Sequence, residues 1–182
     1  MSLYQKINVV GTSGSGKSVF SRQLAEKLAL PYIEMDELFW LPNWTEPNYE
    51  CFIEQVSQAI TTTSWVLDGN YSRTNHVKWA NVNTIIWLDY SFTRTLFQAF
   101  KRALKRILSQ QEIWPNTGNI ETFGKTFFSK ESILLWTITS YHANRKKYLA
   151  FMNNKEYQHI NFVRLTSPKK ARQFIRAVSE NC

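Results

Sequence analysis

Between Gly11 and Ser18 the chain places Gly11, Gly14 and Gly16 among the small hydroxyl residues Thr12, Ser13 and Ser15, then ends on Lys17 and Ser18. These types at this spacing suit phosphate chemistry. Gly14 and Gly16 lack a Cβ, so the main chain can take positive φ and curl with several N–H groups pointing inward. An anion fits that nest, and a lysine at its edge reaches the outer phosphates of a polyphosphate chain. The Ser18 hydroxyl is then placed to ligate a Mg²⁺ bridging them. The stretch satisfies G-x-x-x-x-G-K-[ST], the P-loop pattern.

Carboxylates follow three later apolar runs. Asp68 closes W-V-L-D and precedes Gly69; it would hold a water of the Mg²⁺ shell, or else form a turn or cap a helix. Asp89 closes the equally apolar I-I-W-L-D and competes for the metal-side role. Glu34 and Asp36 lie in I-E-M-D-E-L-F-W-L-P-N-W. Asp36 is either the N-cap of a short helix or part of an acceptor pocket lined by Trp40, Asn43 and Trp44.

Among the cations, Arg102 and Arg106 stand four apart on one helix face near Lys101 and Lys105, a face either solvated or turned to an anion. Steps of four and three give Leu134, Ile138, Tyr141, Arg145, Tyr148 and Met152, which puts Arg145 on an apolar stripe. It is salt-bridged there, or it closes on a transferring phosphate whose oxygens match its guanidinium.

Positioning such groups requires alternating strands and helices. Ile7, Val9 and Val10 read as a buried strand ending at Gly11, and Phe20, Leu24 and Leu28 as one face of the helix that follows. Further strands are predicted at about Tyr32–Met35, Trp65–Asp68, Thr84–Asp89 and His159–Leu165. Helices are predicted at Tyr49–Thr62, with Phe52, Val56 and Ile60 inward, at Ser129–Met152, and at Pro168–Val178. In a helix over Phe92–Leu108 the buried stripe is expected to be Phe92, Leu96, Phe100, Leu104 and Ile107. Ser109–Phe128, with Trp114, Pro115, Asn116, Gly118 and Gly124 and no helical period, reads as a water-excluding lid. Five strands with helical crossovers imply a parallel sheet with helices on both faces and ligands beyond the carboxyl ends of its strands.

The 182 residues, 43% apolar and 15% aromatic, can fill one core, so a single domain over 1–182 is expected, with a lid region over about 92–150. A strand starting so near Met1 leaves no room for a secretory leader, and no apolar run has membrane length; a cytoplasmic protein without a membrane partner is expected. Cys51 and Cys182 have no C-x-x-C spacing and read as structural thiols. The net charge of +8 and pI near 9.5 admit nucleic acid as a partner, but the 22 Lys and Arg are scattered, so any such binding should be weak and non-specific.

The order of P-loop, acid after the second strand, Asp-Gly after the third, arginine-bearing helices and a Thr-Ser-Pro turn resembles the adenylate kinase-like small kinases. More closely, D-E-L-F-W-L-P-N-W, W-V-L-D-G-N-Y-S, I-I-W-L-D-Y and V-R-L-T-S-P-K resemble the bacterial DNA topology modulation protein family. The resemblance implies a P-loop NTPase fold, α/β, with a five-stranded parallel sheet of order 2-3-1-4-5 and a helical lid. It also implies ATP, Mg²⁺, and adenine packed against Thr166, Ser167 and Pro168. Arg102 and Arg106 look like the lid pair, and Arg145 like the returning lid arginine. Asp68-Gly69 matches the start of the kinase motif Asp-Gly-x-Pro-Arg, but Asn70-Tyr71-Ser72-Arg73 has no proline and its arginine comes one residue late, which speaks against a nucleoside monophosphate acceptor.

Two function classes follow. One is a phosphotransferase for a small-molecule acceptor, with Lys17, Asp36, Arg102, Arg106 and Arg145 catalytic, Ser18 and Asp68 on the metal side (Asp68 through water), and Asp36, Trp40, Trp44, Asn70 and Arg73 facing the acceptor. The other is a nucleic-acid-associated ATPase or DNA-binding topology modulator, suggested by charge and the family label.

Overall fold

The structure, a computed structural model, describes residues 4–123 and 133–178. β1 (Lys6–Gly11) leads through the glycine loop into α1 (Lys17–Leu28). β2 (Tyr32–Glu34), the short α2 (Met35–Phe39), a 3-10 turn at Pro42–Trp44 and α3 (Tyr49–Ala59) follow. Next come β3 (Trp65–Asp68), α4 (Asn75–Lys78), β4 (Thr84–Leu88) and α5 (Phe92–Ser109). α6 (Ile133–Met152), β5 (Asn161–Leu165) and α7 (Pro168–Val178) complete the order. The expected helix start at Ser129, and Gly124 with the rest of the expected lid to Phe128, fall outside the described residues.

All strand pairs are parallel, and the sheet order is β2-β3-β1-β4-β5. The register aligns Glu34 with Asp68, Gly11 with Leu88, and Leu88 with Leu165, so the chain leaves every strand at one edge. That edge carries the glycine loop and the acids because a right-handed crossover returns each strand in the same direction. One face buries Met35, Phe52, Val56, Trp65, Leu67, Trp87 and Tyr148; the other buries Phe20, Leu24, Val66, Ile86, Leu165 and Ala171. Each large apolar side chain so buried contributes about 2 kcal/mol. Phe52 and Val56 do point inward, as their spacing predicts.

α5 departs from its predicted face. Thr95, Ala99 and Ala103 are its buried residues, while Phe100 and Leu104 are exposed. The reason is the glycine loop: a Cβ placed on Gly14 would come within 2.6 Å of Ala99 Cβ and 2.8 Å of the Thr95 carbonyl oxygen. Main chain packs so closely here that only small side chains fit, and the larger apolar ones turn outward. Cys51 is also exposed, so it is not a buried structural thiol, and Cys182 lies outside the described residues.

Candidate active site

The glycine loop takes the form its sequence predicts. Gly14 and Gly16 have φ of 81° and 87°, and the Ser15 N–H donates to the Thr12 carbonyl at 3.0 Å. A Cβ on Gly16 would meet nothing nearer than Gln98 Nε2 at 4.0 Å, so the loop is open there, at the N-terminus of α1. Lys17 is half-buried, and its ammonium makes no hydrogen bond among the described residues. Burial lowers its pKa, opposed by the charges of Asp68, Asp36 and Glu34 and reinforced by Arg102. Thr12 is buried, and Ser13 Oγ accepts a hydrogen bond from Arg102 at 3.1 Å.

The two candidate metal-side acids separate in the structure. Asp68 is 4% exposed and lies beside Lys17 and the Ser18 hydroxyl. Burial pushes its carboxyl up to about 6, with Lys17 and then Ser18 pulling the other way. Tyr32 Oη donates to Asp68 Oδ2 at 3.3 Å, while buried Oδ1 has no hydrogen-bond partner among the described residues. Asp89, in contrast, is committed to two arginines: Arg164 Nε at 2.8 Å and Arg145 Nε at 3.3 Å. Glu34 is equally committed, accepting from Arg22 at 2.7 Å, Tyr32 Oη at 2.9 Å and Trp114 Nε1 at 3.4 Å.

Asp36 does not cap α2; Glu34 occupies that position, and Asp36 sits exposed in the first turn. Tyr71 Oη donates to Asp36 Oδ1 at 2.8 Å. Burial, and then the Asp36 charge, raise the Tyr71 hydroxyl pKa, keeping it a donor. Trp40 and Trp44 are half-buried and meet edge-to-face at 5.5 Å; Trp114 joins them at 5.9 Å from Trp44. Arg73 is exposed, with its carbonyl accepting from Tyr49 Oη.

Asn70, expected to face the acceptor, braces the glycine loop. Its Oδ1 accepts from the Gly11 N–H at 3.0 Å and from Tyr148 Oη at 3.0 Å, and its Nδ2 donates to the Gly11 carbonyl at 2.8 Å. Lys78 completes the brace from α4, donating to the Asn70 carbonyl at 2.5 Å and the Tyr71 carbonyl at 3.4 Å. Lys78 is fully buried, which drives its pKa well below the usual lysine range, with Lys147 adding to the fall.

The three arginines also part company. Arg102 turns to the loop at Ser13, its pKa lowered by burial and then by Arg106. Arg106 pairs with Glu121 at 2.7 Å. Arg145, expected at the transferring group, instead pairs with Asp89 and lines a cavity of about 390 Å³ with Phe92, Tyr141, His142 and Thr166. An arginine on an apolar helix stripe needs a counter-charge, and the end of β4 supplies it. Ser167 caps α7 through its hydroxyl, which accepts from the Lys170 N–H at 3.3 Å, and Pro168 opens that helix.

Sequence reasoning missed Tyr71, Lys78, Trp114 and Asn119. No local pattern marks a lysine that serves carbonyls eight and seven residues back. A signal did exist for Trp114: a tryptophan in an otherwise polar, aperiodic stretch needs somewhere to be buried.

Comparison places the architecture. No protein-family model matches the chain, and no curated protein sequence matches it. A gluconokinase from Sinorhizobium meliloti 1021 aligns over 100% of this chain and 97% of its own, with TM-score 0.51 and 14% identity. A shikimate kinase from Acinetobacter baumannii, solved with shikimate, aligns over 98% and 92%, with TM-score 0.59 and 12% identity. Together with the strand order, this establishes the P-loop NTPase fold.

Proposed function

We propose that the protein is an ATP- and Mg²⁺-dependent phosphotransferase whose acceptor is a neutral, hydroxyl-bearing small molecule. The observation that carries this reading is a set of unpartnered polar atoms around the glycine loop. Ser15 Oγ, Asp68 Oδ1 and Arg102 Nε are all buried without a hydrogen bond to any described residue. Buried polar atoms left unpaired cost about 1–3 kcal/mol each, so a site retaining several fits a polar, charged ligand. Ser18 and Asp68 are the residues that would hold Mg²⁺, which offsets phosphate charge when bound. The names of the two fold neighbours, a gluconokinase and a shikimate kinase, agree with phosphoryl transfer.

Lys17 and Arg102 flank the loop, and in this reading they stabilise the charge of the transferring group. On the opposite side, the exposed Asp36 carboxylate is the candidate base. The acceptor hydroxyl oxygen attacks the γ-phosphorus, the bond from that phosphorus to the β-phosphate oxygen breaks, and the hydroxyl proton passes to Asp36 as ADP leaves. A neutral acceptor is favoured because Arg22 is spent on Glu34 and Arg106 on Glu121. The cavity of Thr166, Phe92 and Arg145 suits the nucleobase, which moves Arg145 in this reading from catalysis to base binding.

The deciding experiment incubates the protein with Mg-ATP and a panel of nucleosides, nucleotides and small hydroxyl compounds, with ADP release as the signal. A hydroxyl compound should score, and Asp36→Asn should abolish transfer while ATP still binds. A nucleoside monophosphate as best acceptor, with normal turnover by Asp36→Asn, would refute the hydroxyl reading and direct attention to Arg73. The motif likeness to the DNA topology modulation family and the charge of +8 favour a second reading, a nucleic-acid-associated ATPase. Strong stimulation of ATP hydrolysis by DNA would support it. We further take the chain as one domain acting in the cytoplasm; no helix among the described residues is long and apolar enough to cross a membrane.

A further inference from the structure

We propose that Asn119 is a positioning residue for the acceptor side, clamping a strained turn so that Trp44 stands as a wall of the pocket beside Asp36. Asn43 and Trp44 are consecutive residues with φ of 59° and 61°. That left-handed conformation is tolerated by asparagine but is an outlier for a side chain as bulky as tryptophan, so it persists only where its surroundings enforce it. The turn's own bonds, Leu41 N–H to the Thr45 carbonyl at 3.0 Å and Thr45 Oγ1 to the Pro42 carbonyl at 2.8 Å, bind neither of the two residues.

The enforcement comes from 75 residues away. The Trp44 N–H donates to Asn119 Oδ1 at 2.7 Å, and Asn119 Nδ2 donates to the Leu41 carbonyl at 3.0 Å. The Asn43 N–H donates to the Thr117 carbonyl at 3.3 Å. Asn119 is fully buried, so the exchange is sheltered from water. The clamp is itself rigid: Ile113 N–H bonds the Asn119 carbonyl at 3.0 Å, and the Glu112 carboxylate accepts from the N–H groups of Asn116 and Gly118 at 3.0 and 3.2 Å.

The side chain at position 119 must accept from one main-chain group and donate to another, which a carboxylate or an alkyl side chain cannot do together. An amide meets both demands with separate atoms, Oδ1 accepting and Nδ2 donating. Without it the Trp44 N–H and the Leu41 carbonyl lose these partners, and the turn relaxes toward ordinary φ, carrying the Trp44 ring off its place between Trp40 and Trp114. Acceptor binding then suffers while the glycine loop, to which Asn119 makes no hydrogen bond among the described residues, is untouched. The kinetic consequence rests on the phosphotransferase reading; the structural one does not.

The test uses the full chain with Asn119→Ala and the near-isosteric Asn119→Asp, which keeps an acceptor for the Trp44 N–H if the alanine variant fails to fold. Hydrogen exchange should rise tenfold or more across 41–45 in Asn119→Ala, less in Asn119→Asp, with the Gly11–Ser18 segment unchanged. With the acceptor found in the panel above, its KM should rise about tenfold while kcat and the KM for ATP stay within twofold. Unchanged exchange across 41–45, or KM values for ATP and acceptor rising together, would overturn the proposal. If the unaltered protein phosphorylates nothing in the panel, the kinase reading fails, and the exchange measurement alone decides whether Asn119 holds the turn.

Discussion

Lys17 keeps its ammonium half-buried among Asp68, Asp36 and Arg102 with no hydrogen bond to any described residue, an arrangement that leaves its charge available to a bound polyphosphate. Lys17→Ala should therefore lower kcat/KM by about 10²-fold or more while leaving the fold intact by circular dichroism, because a preorganised charge is removed from a dry site. Asp68 behaves oppositely toward stability. Its carboxyl titrates near 6 in the folded chain against 3.8 ordinarily, so between those values the native state binds the extra proton. Its stabilising contribution is complete below about pH 3.8 and is lost as pH rises through 6. Asp68→Asn should thus raise stability at pH 7, by on the order of 3 kcal/mol, while abolishing Mg²⁺-dependent turnover. Urea melts of both proteins across pH 4–7 check the sign: the advantage of the variant must grow with pH. Tyr71→Phe keeps the ring packed on Phe39 and Phe52 but removes the hydroxyl from Asp36. Its kcat should fall roughly tenfold with the KM for ATP unchanged, as steady-state kinetics would show.

α5 shows how one element can serve two masters. Its large apolar residues give a strong helical period, yet its inward face is Thr95, Ala99 and Ala103, because the glycine loop lies in direct contact with it. This makes Gly14 and Gly16 unequal despite their similar φ. Gly14→Ala adds a Cβ 2.6 Å from Ala99 Cβ, so loop and helix must separate; Gly16→Ala meets open space and bears only the left-handed strain of about 1–2 kcal/mol. Chemical denaturation should show Gly14→Ala the more destabilised by 1 kcal/mol or more, and a smaller loss than in Gly16→Ala would refute the packing argument. The loop after β3 is a second such element. Asp68 lies beside Lys17 and Ser18, Asn70 holds Gly11, Tyr71 holds Asp36, and buried Lys78 secures the Asn70 and Tyr71 carbonyls.

Over the whole molecule, the charge of +8 is spread rather than gathered, and part of it is internally neutralised: Arg22, Arg106, Arg145 and Arg164 each face a carboxylate. Binding to duplex DNA should consequently be sequence-independent and fall steeply with salt, and titrations of unrelated duplexes at two salt concentrations would reveal it. A preference for one sequence at physiological salt would contradict this. The sequence by itself determined the sheet, the glycine loop and the acids at the strand ends, because those rest on local rules: apolar runs, residues without a Cβ, and carboxylates following strands. It also singled out Lys17, Ser18 and Asp36 as candidates for the chemistry. Tertiary structure decided which acid faces the loop, since Asp68 and Asp89 end strands of the same apolar pattern and differ only in their neighbours across the sheet. It decided that Asn70 braces Gly11, that Arg145 meets Asp89, and that Asn119 reaches Trp44, for each of these bonds joins residues more than fifty positions apart. Periodicity reports which way a side chain leans from its own helix or strand, but the partner it meets is set by how the crossovers stack, and no local pattern carries that information.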